Sequence, residues 1–285
     1  MKMKRRTFLK KMFGSLLAFF GLGGGTYYYA RYMEPDMLTI QTETIKNTSI
    51  PESFQDFKIV QFTDTHVGFH YSLDQLKNVV DTINQQQPDL ILFTGDLVDK
   101  PHEYTWDEDI VSVLEQLQAP HGKYWIYGNH DHGGYGTEVV KKTMADSGFT
   151  VLQNSSTAIQ KGNGLFYLAG LDDVMLGRPN LEKALQGVDP SVFTIMMVHE
   201  PDYADYVKRF PVDVQLSGHS HGGQIQVPLF GYLVTPPHAE KYVEGFHELG
   251  DYPLQLYVSR GLGTTRLPYR FLCKPELTVF KLSNK

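Results

Sequence analysis

Ser217, Gly218, His219, Ser220, His221, Gly222 and Gly223 set two imidazoles one residue apart on a glycine-rich turn. Imidazole is a common ligand for zinc, iron and related ions, so the pair suggests a metal. A polar loop in which histidine happens to recur is the plain alternative. Carboxylates and further imidazoles at matching places elsewhere in the chain would decide between the two.

Val212–Leu216, partly apolar and alternating, reads as a strand that delivers this pair to the end of a sheet. Four more apolar runs end on polar residues of the same kind. Phe57–Thr63 ends on Asp64 and His66, and Leu90–Phe93 on Asp96, with Asp99 just beyond. Tyr124–Tyr127 ends on Asn129, His130 and Asp131, and Phe193–Val198 on His199. Taken singly, Asp64 and Asp96 could be helix caps, Asn129 a turn residue and His199 a hydrogen-bonded core histidine. Together, five apolar strands ending in metal-type ligands give too many donors for one tetrahedral ion. The number suits two ions that share a carboxylate.

The elements that must carry these residues follow from periodicity. Ser72 has the character of an N-cap for a helix with Leu73, Leu76, Val79, Val80 and Ile83 on one face, stopped before Pro88. Further helices are expected over Asp107–Leu117 and Thr137–Asp146. Asp64, Asp96 and Asn129 recur at intervals of roughly 30 residues, the length of one strand-helix-strand unit. Such units pair their strands in parallel with right-handed crossovers, which brings the C-terminal strand ends to one sheet edge. The second half reads as more β-rich, with strands expected at Phe149–Leu152, Ala158–Gln160, Leu165–Ala169, Gln224–Val227, Leu254–Ser259 and Leu277–Leu282.

In order, DTH, GDLVD, GNHD, VHEPD and SGHSHGGQ resemble the full motif set of the calcineurin-like metallophosphoesterase superfamily. The metal-type residues of these motifs run from Asp64 to His221, and the wider likeness runs from about residue 38 to the end, through Ser259-Arg260-Gly261-Leu262-Gly263. The whole chain is most similar to the exported YkuE-like and YaeI-like branch, with hydrolases of UDP-diacylglucosamine as more distant relatives. The resemblance implies a four-layer αββα sandwich, two central mixed β-sheets flanked by helices, with a dinuclear metal site at the C-terminal strand edge. It implies Asp64, His66 and His221 on a first divalent ion, Asn129, His199 and His219 on a second, and Asp96 bridging both. The ions could be Mn, Zn or Fe. A hydroxide between two such cations would attack phosphorus in line with the leaving group. His130 lies outside the ligand set and suits a general acid or a hydrogen-bond donor to phosphate. Asp131 could orient it or cap the next loop, and Asp99 reads as structural. His70, His102, His121, His238 and His247 are assigned to surface or loops. Asp172 and Asp173 could line the cleft.

Composition sets the boundaries. The chain has 285 residues, a formal charge of −6 and one cysteine, Cys273, which excludes an internal disulfide and a Cys-based zinc cage. Residues 1–30 hold Lys2, Lys4, Arg5, Arg6, Lys10 and Lys11 and no acid, so the remainder is more acidic still. A nucleic-acid surface is therefore not expected. The paired arginines followed by Thr7-Phe8-Leu9-Lys10 and an uncharged Met12–Ala30 resemble a twin-arginine export signal. That uncharged stretch reaches the lower end of the roughly 17 to 25 residues that span a bilayer, and no clean cleavage site follows it. The organisation read from the sequence is residues 1–30 as signal or membrane anchor, 31–37 as a linker and 38–285 as the phosphoesterase domain.

The function expected is a metal-dependent phosphoesterase, acting on a phosphate ester of the envelope or medium after passage through the twin-arginine translocase, in association with membrane or cell wall. A catalytically idle, metal-containing envelope-binding protein and a UDP-diacylglucosamine-type pyrophosphate hydrolase are the alternatives. Specificity should come from loops 101–105, 133–136, 172–179 and 228–242.

Overall fold

Runs such as Leu90-Ile91-Leu92-Phe93 have no polar face, so a strand built from one must be covered on both sides. The computed structural model, which describes Arg6, Met12 and residues 21–106, 109–132, 137–249 and 254–285, shows how this is done. One six-stranded sheet contains Thr39–Lys46 (β1), Lys58–Phe62 (β2), Leu90–Phe93 (β3), Lys123–Trp125 (β4), Thr150–Val151 (β5) and Glu276–Ser283 (β14), in the order β1-β14-β2-β3-β4-β5. The strands β2 to β5 are parallel, and the C-terminal β14 runs antiparallel to β2.

The second six-stranded sheet is built from Ser155–Lys161 (β6), Gly164–Gly170 (β7), Thr194–Met197 (β8), Val214–Ser217 (β9), Gly245–Leu249 (β12) and Leu254–Val258 (β13), in the order β12-β13-β9-β8-β7-β6. Its four central strands are parallel and both edge strands antiparallel. Gln226–Val227 (β10) and Gly231–Tyr232 (β11) form a separate two-stranded hairpin.

The sheets face each other across a core that joins Ile59, Leu90 and Leu92 of the first to Leu168, Ile195 and Leu216 of the second. The alternate residues Val60, Phe62, Ile91 and Phe93 point the other way, against the helices Leu73–Gln85, Asp109–Leu114 and Thr137–Asp146. Met196, Val198 and Leu256 do the same for the short helices Leu181–Ala184 and Ala204–Val207. These are the four layers expected, αββα, with two mixed sheets inside. Each fully buried Leu, Ile or Phe contributes about 1.5–3 kcal/mol, so the pleat itself dictates the layering.

The helix Leu73–Gln85 starts where its cap requires: Ser72 Oγ accepts from Gln75 N at 3.2 Å, and Ser72 N donates to Gln75 Oε1 at 2.7 Å. It buries Leu76, Val79, Val80 and Ile83. Thr137–Asp146 matches its expected bounds, whereas the helix expected over 107–117 spans Asp109–Leu114, with its first two residues outside those described.

Residues 31–37 are not a free tether. Tyr29–Met33 and Glu34–Asp36 are helical turns, and the Glu34 side chain is buried, accepting from Leu272 N and Cys273 N. A carboxylate that satisfies two amides of a distant loop fixes this segment to the body. Composition alone made it look like polar spacer. Among the described residues no helix is long and apolar enough to cross a membrane.

Candidate metal centre

Asp64, Asp96, His199, His219 and His221 each follow the last or nearly the last residue of β2, β3, β8 or β9, so parallel pairing sets them along one edge of the sandwich. The turns that hold them are strained. Asp64, His66, Asp96, His219 and His221 all have positive φ, between 45° and 67°, a region that residues with a Cβ seldom enter. The tight turns need glycine for a specific reason: a Cβ on Gly218 would overlap Asp64 Oδ2, and one on Gly128 would overlap Asp96 Oδ1. Gly218 thus makes room for a ligand carboxylate.

The side chains converge in two groups with Asp96 facing both, and a third, overlapping group joins His66 to Asp99 and His130. Asp64, His66 and His221 bring their ligand atoms together on one side, and Asp96, His199 and His219 on the other. Asp96 Oδ2 lies 3.5 Å from His66 Nε2 and 3.3 Å from His199 Nε2, so it faces both. Its second oxygen, Oδ1, accepts from His130 N at 2.8 Å. Asp64 is held likewise: Oδ2 accepts from Thr63 Oγ1 and from His219 N, which leaves Oδ1 3.4 Å from His221 Nε2. All six residues are buried.

The orientation of the imidazoles reveals what the cluster is for. His199 Nδ1 donates to the Thr94 carbonyl at 2.6 Å, and His219 Nε2 donates to the Pro237 carbonyl at 2.9 Å. A carbonyl can only accept, so the other nitrogens, His199 Nε2 and His219 Nδ1, are the ones left to bind; they face each other at 3.2 Å. His66 Nδ1 lies 3.1 Å from Asp99 Oδ1, which turns its Nε2 toward His221 Nε2, also at 3.1 Å. Two opposed pairs of ring nitrogens, each beside a carboxylate oxygen, are a donor set that a cation satisfies. The buried Asn129 Oδ1 has no hydrogen-bond partner among the described residues, as expected of a further ligand. The chain therefore fits divalent metal bound through nitrogen and oxygen.

Without ions, protons partly reconcile the cluster. Burial opposes a charge on His199, but Asp96 and Asp64 outweigh it and hold its pKa well above the ordinary imidazole value. Burial and the neighbouring His199 pull His219 down to about 3, and burial with His66 and Arg270 keeps His221 well below normal. An ion would displace the His199 proton, so binding should release one.

Six of the seven residues read as ligands bring their ligand atoms together here, and Asn129 and His130 line the cleft beside them. His130 Nδ1 donates to the Asp99 carbonyl at 2.6 Å. Burial lowers its pKa, yet Asp96, the Asp99 carbonyl and the Asp99 and Asp131 carboxylates outweigh this and raise it. Asn129, expected at a strand end, instead opens the one-turn helix Asn129–His132. Asp131 does not orient His130. It accepts from Asp96 N, Leu97 N and Gly128 N, tying two ligand turns together, while burial and Asp96 push its pKa up to about 7. Asp99 is the orienting group for His66, and Asp172 pairs with His132 at 2.8 Å. His70, His102, His121, His238 and His247 lie outside the ligand groups found among the described residues.

Sequence reading missed the residues that brace the far side. The buried Arg270 guanidinium donates to the carbonyls of Arg260, Gly261 and Gly263, and the Cys273 thiol to those of His221 and Gly222. Neither sits in a motif. Only the neighbourhood of the ligand turns, invisible before folding, marks them.

This four-layer sandwich with an Asp, Asn and His cluster at its strand ends is that of a metallophosphoesterase: the chain belongs to the calcineurin-like phosphoesterase family, whose profile matches residues 57–223. It is 50% identical over 284 residues to the "Uncharacterized metallophosphoesterase YkuE" of Bacillus subtilis (strain 168), covering 99% of both chains. It is 30% identical over 286 residues to "Phosphodiesterase YaeI" of Escherichia coli (strain K12), covering 98% of each. Membership indicates a phosphoester hydrolase, and the clustered His and Asp residues suggest divalent metals.

Proposed function

We propose that the protein is a dinuclear-metal phosphodiesterase exported by the twin-arginine route and acting at the cell envelope. Asp64, His66 and His221 would hold one divalent ion, Asn129, His199 and His219 the other, and Asp96 both. Mn, Zn and Fe all suit such ligands. When bound, a pair of ions supplies Lewis-acid stabilisation of a phosphate and a water-derived nucleophile at neutral pH. The single observation that carries the reading is the two opposed imidazole pairs astride Asp96, whose ring nitrogens face each other at 3.2 and 3.1 Å.

The chain's own groups do the rest. With Nδ1 committed to the Asp99 carbonyl, His130 has Nε2 for the substrate side, where a proton can pass to the leaving oxygen or bond to a phosphate oxygen. Asp99 fixes His66 and, through its carbonyl, His130. Preference for diesters is supported by the relative named as a phosphodiesterase.

Hydrolysis of bis(4-nitrophenyl) phosphate with Mn²⁺ tests the activity, and the metal content of the purified chain tests the pair. Equal rates with and without chelator, or no turnover at all, would sink the enzyme reading. Changing Arg5 and Arg6 to Lys tests export; a doubly substituted chain still found outside the cytoplasm would contradict the route.

A further inference from the structure

The cleft above the metal centre has a floor of acids and imidazoles but an apolar rim. Leu233, Val234 and Leu267 line it and are all exposed. Beyond them the hairpin β10–β11, which belongs to neither sheet, carries Leu229 and Phe230 at its tip, with Phe230 83% exposed. A cluster of bare apolar side chains beside a polar site marks an interaction surface.

This rim is continuous with the end of the apolar N-terminal segment. Gln226 N, at the hairpin base, donates to the Phe271 carbonyl at 2.8 Å, and Phe271 N to the Gln224 carbonyl at 2.9 Å. Phe271 in turn packs edge-on against Tyr29, Tyr269 lies 5.8 Å from Tyr27, and Arg270 N donates to the Ala30 carbonyl. Leu22, Tyr27, Tyr28, Tyr32 and Met33 are exposed alongside. Charge follows the same boundary. Residues 1–33, 224–239 and 261–274 contain no Asp or Glu, although the chain has 32 acids, and Arg266 and Lys274 are exposed there. Glu244 adjoins the hairpin base, where it accepts from Gln226 Nε2 at 3.0 Å and lies 3.9 Å from Arg260 Nε, so the rim segments themselves offer aromatic, aliphatic and scattered basic groups, which complement an anionic lipid surface.

We propose that this face is a bilayer-docking surface: the N-terminal segment and the Leu229–Phe230 tip enter the same membrane leaflet, holding the cleft mouth against the headgroup layer. The substrate class that fits is a phosphodiester carried by a membrane lipid, and this part rests on the phosphodiesterase reading above. In the reaction water adds to phosphorus, the P–O bond to the leaving alcohol breaks, and that oxygen takes up a proton, with no oxidant or reductant needed.

The test uses the full chain reconstituted in vesicles containing phosphatidylglycerol. With Phe230→Trp, the added emission should be quenched by brominated acyl chains; no quenching overturns the docking face. The variant carrying Leu229→Glu and Phe230→Glu should lose at least about tenfold in hydrolysis of hexadecyl 4-nitrophenyl phosphate held in the vesicles, the scale set by burying two large apolar side chains. It should keep its rate on soluble bis(4-nitrophenyl) phosphate. Equal losses on both substrates, or none on either, would overturn the proposal. If the tip serves a second copy of the chain instead, the detergent-solubilised protein will sediment as a dimer that the double variant splits, which also overturns it. Should neither diester be cleaved while Phe230→Trp is quenched, the phosphodiesterase reading and the lipid substrate fail and the docking face stands.

Discussion

The two halves of the metal cluster use the same residue types but are braced differently. On the His199 and His219 side, both imidazoles are keyed by main-chain carbonyls, Thr94 O and Pro237 O, which are parts of the fold and cannot titrate. On the His66 and His221 side, a carboxylate oxygen, Asp99 Oδ1, lies 3.1 Å from His66 Nδ1 as a charge contact, and neither His66 Nδ1 nor His221 Nδ1 has a well-aligned hydrogen-bond partner among the described residues. Its ring is held through the main chain, by Arg270 and Cys273 on the His221 carbonyl. One half is built into the sheets, and the other hangs on side chains that can be replaced singly. A carboxylate partner also raises the basicity of the histidine it holds, so the halves should differ in how mutation loosens them.

Asp96 Oδ2 is nearer to both halves than Asp64 is, at 3.5 Å from His66 Nε2 and 3.3 Å from His199 Nε2, so under the proposed assignment its loss should erase the difference. Asp96→Ala is expected to leave neither ion bound and turnover at background, because it removes the oxygen facing His66 and His199 together. Elemental analysis of the purified variant checks this; two retained ions would refute the shared role. By contrast, His219→Ala and His221→Ala should each cost mainly one ion.

His130 comes next in size. His130→Gln should lower turnover by about 10²- to 10⁴-fold, the usual worth of a positioned proton donor, with metal content unchanged. As a donor, the imidazole works while protonated, so the wild-type rate should fall as pH rises, and the glutamine variant should lose that limb. A variant that loses an ion as well would place His130 among the ligands.

The distribution of legible residues follows the same divide. The residues read as ligands were legible because each follows an apolar run, and such runs and their polar endings are local patterns. The capped helix after Ser72 was legible for the same reason. What stayed hidden depends on contacts between remote segments. Gln61 Nε2 joins Thr94 Oγ1 to the Ser217 carbonyl, linking the sheets beneath the site, and no local pattern announces a buried glutamine in β2. Arg270 stands in no motif, yet it is fully buried among carbonyls. The second sheet looked merely β-rich because its short strands and brief helices carry weak periodicity, and its four parallel central strands emerge only from pairing. The role of Gly218 was hidden in the same way: it clears space for the Asp64 carboxylate, which only folding brings beside it.

The Asp99 carboxylate gives the sharpest test of the asymmetry. Asp99→Asn should weaken metal binding by about 10- to 100-fold on the His66 side and leave the other ion in place, as loss of an outer-sphere partner usually does. Titration with Mn²⁺ should then resolve two affinities where the parent shows closer ones. Parallel weakening of both would mean that the bracing difference has no energetic consequence.

The smallest effect concerns the helix that carries Asn129. Its last residue, His132, forms a 2.8 Å ion pair with Asp172, both side chains largely buried. Burial lowers the His132 pKa, but the hydrogen bond and charge of Asp172 outweigh it and raise it; burial raises Asp172, but the His132 hydrogen bond outweighs that and lowers it. Stabilisation by the raised imidazole is complete below its unfolded value near 6.5 and is lost as pH rises through the folded one. Stabilisation by the lowered carboxyl is complete above about 3.9 and is lost as pH falls through its folded value. The pair therefore contributes most between about pH 4 and 6.5. His132→Gln should cost roughly 1–3 kcal/mol in urea unfolding at pH 5.5 and less at pH 9. A gap that does not change with pH would assign the cost to packing on Tyr127, whose ring lies 4.7 Å away. In that case the support of the Asn129 helix would not titrate, and the His199 side would be pH-insensitive there as well as at its carbonyl keys.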